Sequence, residues 1–68
     1  MTDIDLLRKT IDDSGLKITA LSKKASINRA TLYNRLDGKG EFTVSEIEGL
    51  CRALRLNKTE RERIFFAN

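Results

Sequence analysis

The sequence predicts a single all-α domain of five short helices. Three observations lead there: apolar residues recur at helical spacing nearly throughout the 68 residues, proline is absent, and the β-branched residues nowhere alternate over a sustained stretch. A chain of this length lies near the lower limit at which one hydrophobic core supports folding without staples. It has room for one domain, residues 1–68, and no linker, repeat or low-complexity segment divides it.

The first helix is expected from Asp3 to Ser14, with Thr2 as N-cap and Asp3 and Asp5 in the first turn, where carboxylates meet the positive end of the helix dipole. Its inward residues are Ile4, Leu7 and Ile11, Gly15 closes it as a left-handed cap, and Leu16 is a core residue in the connection. The second helix runs from Ile18 to Ala25, with Leu21 and Ala25 one turn apart on the buried side. Ser26-Ile27-Asn28 breaks the pattern: Ile27 plugs the gap between two helices, and Asn28 caps a third that begins at Arg29 and ends near Asp37-Gly38.

Lys39-Gly40-Glu41-Phe42 is a loop, without the glycine spacing of a phosphate-cradling nucleotide loop. Thr43-Val44-Ser45-Glu46 is a capping box that opens a fourth helix burying Ile47, Leu50, Cys51 and Leu54. Asn57-Lys58-Thr59-Glu60 repeats the arrangement for a fifth helix, which reaches Ile64, Phe65 and Phe66.

Composition narrows the function. Histidine is absent and Cys51 is the only cysteine, so neither a zinc cluster nor a cysteine nucleophile with its base has the residues it needs. A binding module without metal or cofactor is expected, rather than an enzyme. Cys51, four residues after Ile47 and three before Leu54, is a small hydrophobe on their apolar face. A lone cysteine makes no internal disulfide, which suits a reducing cytoplasm. No apolar run has the length of a membrane span, and Met-Thr-Asp-Ile-Asp is acidic where a signal peptide is basic.

The net charge of +3 is unevenly spread. Residues 17–39 hold Lys17, Lys23, Lys24, Arg29, Arg35 and Lys39 against Asp37 alone, a local balance of +5 that leaves −2 for the remainder. A basic band of this kind suits the phosphate backbone of a nucleic acid, whose counterions it displaces. On the third helix Leu32 and Leu36, one turn apart, face the core. At about 100° per residue, Arg29 with Tyr33 and Ala30 with Asn34 form two adjoining rows on another side, and Asp37 lies at their far end. Arginine can bind guanine O6 and N7 together, asparagine adenine N6 and N7, and alanine can meet a thymine methyl.

These residues resemble the helix-turn-helix of the lambda-repressor and Cro family, also called the xenobiotic-response-element-type regulators. The matching positions are Leu21, Ala25, Ile27, Leu32 and Leu36 for the helix packing and Asp37-Gly38 for the closing Asn-Gly, with the helix-turn-helix at residues 18–37. The resemblance implies a five-helix lambda-repressor-like fold and a DNA-binding transcriptional regulator of the kind found in phage lysis-lysogeny switches, acting on double-stranded operator DNA in the cytoplasm of a bacterial or phage-infected cell. It places Arg29, Ala30 and Asn34 at base-reading positions with Tyr33 beside them, and Lys17, Thr19, Asn28, Arg35 and Lys39 near phosphates.

The chain departs from the family where Lys17-Ile18 stands for the frequent Thr-Gln, and Ser22 and Ser26 stand for a small Ala and a turn Gly. A left-handed Ser26 would cost about 1 kcal/mol relative to glycine. Ile18 reads first as a core or boundary residue; read otherwise, it makes a second function available, an antirepressor that offers a partly apolar surface to a partner repressor protein. Ile64-Phe65-Phe66 cannot all face one way on a helix: either Ile64 and Phe65 close the core with Phe66 partly exposed, or the stretch meets a partner, which makes Phe65 and Phe66 candidate contacts at a homodimer seam.

Overall fold

Five helices, α1 (Ile4–Ser14), α2 (Ile18–Ala25), α3 (Arg29–Leu36), α4 (Val44–Leu54) and α5 (Lys58–Phe65), surround one apolar core in the computed structural model, which describes residues 1–68. Leu7, Leu21, Leu32 and Leu50, one from each of the first four helices, are its fully buried centre. Ile64 and Phe65 complete it from α5. No helix is long and apolar enough to cross a membrane.

The caps follow the sequence closely in the later helices. The Thr43 hydroxyl accepts from the Glu46 N–H while a Glu46 carboxylate oxygen accepts from the Thr43 N–H at 2.9 Å, and Asn57 and Glu60 form the same reciprocal pair. The start of α1 differs from expectation. Asp3, not Thr2, is the N-cap, its carboxylate accepting from the Leu6 N–H at 3.0 Å. The cause is tertiary: the Asp3 N–H donates to the Ile64 carbonyl at 2.7 Å, which holds Asp3 extended and outside the helix. The chain ends join there as well, because the Ala67 N–H donates to the Met1 carbonyl and the Met1 ammonium donates to the Ala67 carbonyl.

Two helices end on residues other than glycine in the left-handed conformation, Ser26 after α2 (φ 57°) and Arg55 after α4 (φ 54°). In both, the following N–H reaches back to the last turn: Ile27 to the Ser22 carbonyl and Leu56 to the Cys51 carbonyl, each at 2.9 Å. Ile27 is buried and Leu56 packs partly against the core, so each strained cap is followed by an apolar anchor that favours the turn.

The most extensive helix pairing joins α2 to α4. It depends on Gly49, buried in the middle of α4. A Cβ built on Gly49 would overlap the Ala25 carbonyl oxygen and lie 3.1 Å from the Ala25 carbonyl carbon. The obstacle is backbone, so no side-chain rotation relieves it.

Phe65 corrects the sequence expectation of a partner contact. It is 3% exposed, and its ring meets Phe42 edge-on, with centroids 5.7 Å apart at 81°. Phe42, placed in a loop by the sequence, is thus the core residue that closes the connection between α3 and α4. Of the three bulky C-terminal residues only Phe66 turns outward, 52% exposed, with the Arg61 guanidinium over its ring at 5.6 Å. Cys51 is half-buried, and burial pushes its thiol above the ordinary value, with Arg61 opposing and Glu48 adding to the shift.

Gly49→Ala should lower stability by about 2 kcal/mol, because the steric cost of overpacking exceeds the gain in helix propensity. Its urea midpoint, followed by circular dichroism, tests this. Ser26→Gly should raise stability by about 0.5–1 kcal/mol by removing the left-handed strain, measured in the same way.

Candidate nucleic-acid interface

The α2–α3 pair is built so that one side of α3 is fixed and the other is open. Leu32 and Leu36 are buried, and Ile27 fills the space between the helices. The Asn28 side-chain oxygen accepts from the N–H groups of Ala30 at 2.9 Å and Thr31 at 3.3 Å, which sets the first turn. Arg29, Ala30, Tyr33 and Asn34 all lie exposed, Tyr33 to 50%. The side chains of Arg29, Tyr33 and Asn34 are in none of the three ion pairs and none of the side-chain hydrogen bonds, so their polar groups remain available to a ligand.

The other end of α3 is held by two arginines. Arg8, on α1, donates through Nη2 to the Leu36 carbonyl at 3.0 Å and to Asp37 Oδ1 at 3.1 Å. A cation at the last carbonyls of a helix satisfies groups that lack an internal partner and complements the helix dipole. It also occupies Asp37, the one carboxylate in the basic segment. Nothing local in the sequence connects Arg8 with a residue 29 positions away. Arg35, on α3 itself, donates through Nε to Glu46 Oε1 at 3.3 Å and through Nη1 to the Lys39 carbonyl at 3.4 Å. That same Glu46 oxygen caps α4, so a single carboxylate joins the end of α3 to the start of α4.

The expected phosphate ligands therefore divide. Lys17, Thr19, Asn28 and Lys39 are exposed, and Asn28 keeps its amide donors free while its oxygen caps α3. The Arg35 side chain is only 22% exposed and committed to Glu46, which makes it a brace for α3 in this conformation more than an outward cation. Lys23 and Lys24, in the last turn of α2, are exposed and unpaired and extend the basic surface.

At the head of α2, Lys17 provides no side-chain cap, so the first N–H groups of the helix stay open. Ser22 is buried, its hydroxyl donating to the Thr19 carbonyl at 2.9 Å. Ile18 packs partly against the core, and the rest of it lines an open groove of about 500 Å³ together with Leu16, Tyr33 and Leu36, shared with Arg8, Asp12 and Lys17. An apolar position from α2 is thus brought beside an aromatic one from the exposed side of α3.

No curated protein and no solved structure matches the chain. A family model described as the Cro/C1-type HTH DNA-binding domain matches residues 6–60, from the first half of α1 into α5. With the match extending over most of the five-helix fold, and with α2 and α3 forming the two helices of the motif, the chain belongs to the Cro/C1-type helix-turn-helix DNA-binding family.

Proposed function

We propose that the protein is a sequence-specific transcriptional regulator of the Cro or repressor kind, working in a phage lysis-lysogeny switch and reading the major groove of an operator with α3. The observation that carries this reading is the two-sidedness of α3. Its leucines fix it to the core while Arg29, Ala30, Tyr33 and Asn34 face outward inside the most basic segment of the chain. Arg29 suits guanine, Asn34 adenine and Ala30 a thymine methyl, with Tyr33 beside them. Lys17, Thr19, Asn28 and Lys39 hold the phosphates, helped by the open N–H groups at the head of α2. A homodimer matches a two-fold operator, and Phe66 is the exposed aromatic available for its seam.

Ile18 favours a second reading. An apolar residue at the head of α2, beside the groove shared with Tyr33, suits an antirepressor that covers a partner repressor protein. A gel shift with upstream DNA, with and without the product of the neighbouring gene, separates the two. Retardation by this protein alone supports the regulator, whereas a shift seen only with the neighbour, or loss of the neighbour's own shift, supports the antirepressor.

Binding sites selected from random duplex DNA provide the quantitative test. Arg29→Ala and Asn34→Ala should each cost about 1–3 kcal/mol on the selected site and relax preference at one base pair, measured by fluorescence anisotropy. Unchanged affinity in the double variant overturns the regulator reading. Lys23→Ala and Lys39→Ala should instead weaken binding to every sequence and reduce the slope of log affinity against log salt by roughly one unit each.

A further inference from the structure

We infer that the corner where α4 turns into α5 is a docking surface for an acidic segment of another protein, whose carboxylates are taken by Arg52, Arg55 and Arg61 and whose apolar side chain meets Phe66. The surface belongs to neither helix of the α2–α3 pair and adds a partner that the regulator reading does not require.

Arg52 and Arg55 lie at the end of α4, and Lys58 and Arg61 in the first half of α5. All four are exposed, and none takes part in the three ion pairs. Arg61 links the two helices: its guanidinium lies over the Phe66 ring at 5.6 Å, and its charge reaches the Cys51 thiol of α4. Lys58, Arg61, Glu62 and Phe66 line an open recess of about 390 Å³. The carboxylates of this corner are Glu48 and Glu62, both exposed and in no ion pair, so four cations against two acids leave a balance of +2. Glu60 caps α5 and, with Arg63, borders a different recess on the α1 side.

The kind of cation selects the occupant. Around α2 and α3, Lys17, Lys23, Lys24 and Lys39 outnumber Arg29 and Arg35, whereas here three of the four cations are arginine. A guanidinium takes a carboxylate through two parallel hydrogen bonds, and arginine and aromatic residues are enriched at protein interfaces where lysine is depleted. Phe66, 52% exposed, offers apolar contact that a phosphate backbone has no group to meet. Glu48 and Glu62 oppose a continuous row of phosphates but admit a peptide with neutral residues between its acids. A second copy is the poorer fit, because in a two-fold pairing the four cations meet their own images with only two carboxylates per copy to answer them.

The experiment selects peptides from a random displayed library on the whole chain, with excess duplex DNA present to occupy the basic band of residues 17–39. Enrichment of Asp and Glu around an aromatic or aliphatic residue is expected. The most enriched peptide, labelled with fluorescein, should bind roughly tenfold more weakly to Arg52→Ala and to Arg61→Ala and roughly fivefold more weakly to Phe66→Ala, measured by fluorescence anisotropy. Lys23→Ala should leave its affinity unchanged. Every substituted side chain is exposed, and circular dichroism checks that each variant keeps the fold. Selection without acidic enrichment, or a peptide that responds to Lys23→Ala and not to Arg52→Ala and Arg61→Ala, overturns the inference. So does duplex affinity that falls in Arg52→Ala and Arg61→Ala, which makes the corner a nucleic-acid surface, or a sedimenting dimer lost in Phe66→Ala, which makes it a seam between copies.

Discussion

The approach of α4 to the end of α2 is the constraint on which the rest of the structure depends. It places the backbone of Gly49 against the Ala25 carbonyl, so that two helices meet with no side chain between them at that point. Leu21, Ala25, Ile47 and Leu50 then share one interior. Because α2 is fixed in this way, the left-handed turn at Ser26 and the buried Ile27 deliver α3 at a defined angle and depth. The glycine lowers helix propensity where it stands, and the loss is offset by packing.

The outward side of α3 is positioned from both of its ends. Asn28 sets the first turn, and Arg8 and Arg35 hold the last, one through the terminal carbonyl and Asp37 and the other through Glu46. The helix is only eight residues long, so intrinsic propensity alone would leave it marginal in water. Its order comes from the core beneath it and from these polar ties. The outward residues are thus carried on a backbone that is tied at both ends of the helix.

Much of the scaffold is legible in the sequence because its signals are local. Asn28, Thr43 and Asn57 act as caps through neighbours within three residues, and the leucines repeat at the helical period. Most of what the sequence leaves open involves contacts between residues far apart in the chain. Thr2 and Asp3 are both good caps, and only the bond from Asp3 to Ile64 chooses between them. Phe42 is the loop residue the sequence expects, but its burial, and the choice of core over partner contact for Phe65, depend on each ring covering the other. The left-handed Arg55 has no glycine to announce it, and Gly49 gives no hint of the carbonyl it faces. At the site, the outward position of Arg29, Ala30, Tyr33 and Asn34 follows from periodicity, whereas the commitment of Arg35 to Glu46 depends on the path of the loop between them.

The pairing of the chain ends has a kinetic meaning. The bonds from Asp3 to Ile64 and between Met1 and Ala67 close a loop that takes in all five helices. They gain nothing until the intervening helices have packed, because loop-closure entropy opposes them while the chain is open. They also sit beside α5, a charge-dense helix that buries only Ile64 and Phe65. With few buried side chains to hold it, this corner should open more readily than the centre of the molecule, and amide exchange should be faster at Asp3 and Ala67 than at Leu21 and Leu32. The α2–α3 unit, tied into the centre by Leu21 and Leu32, can keep its form through such openings.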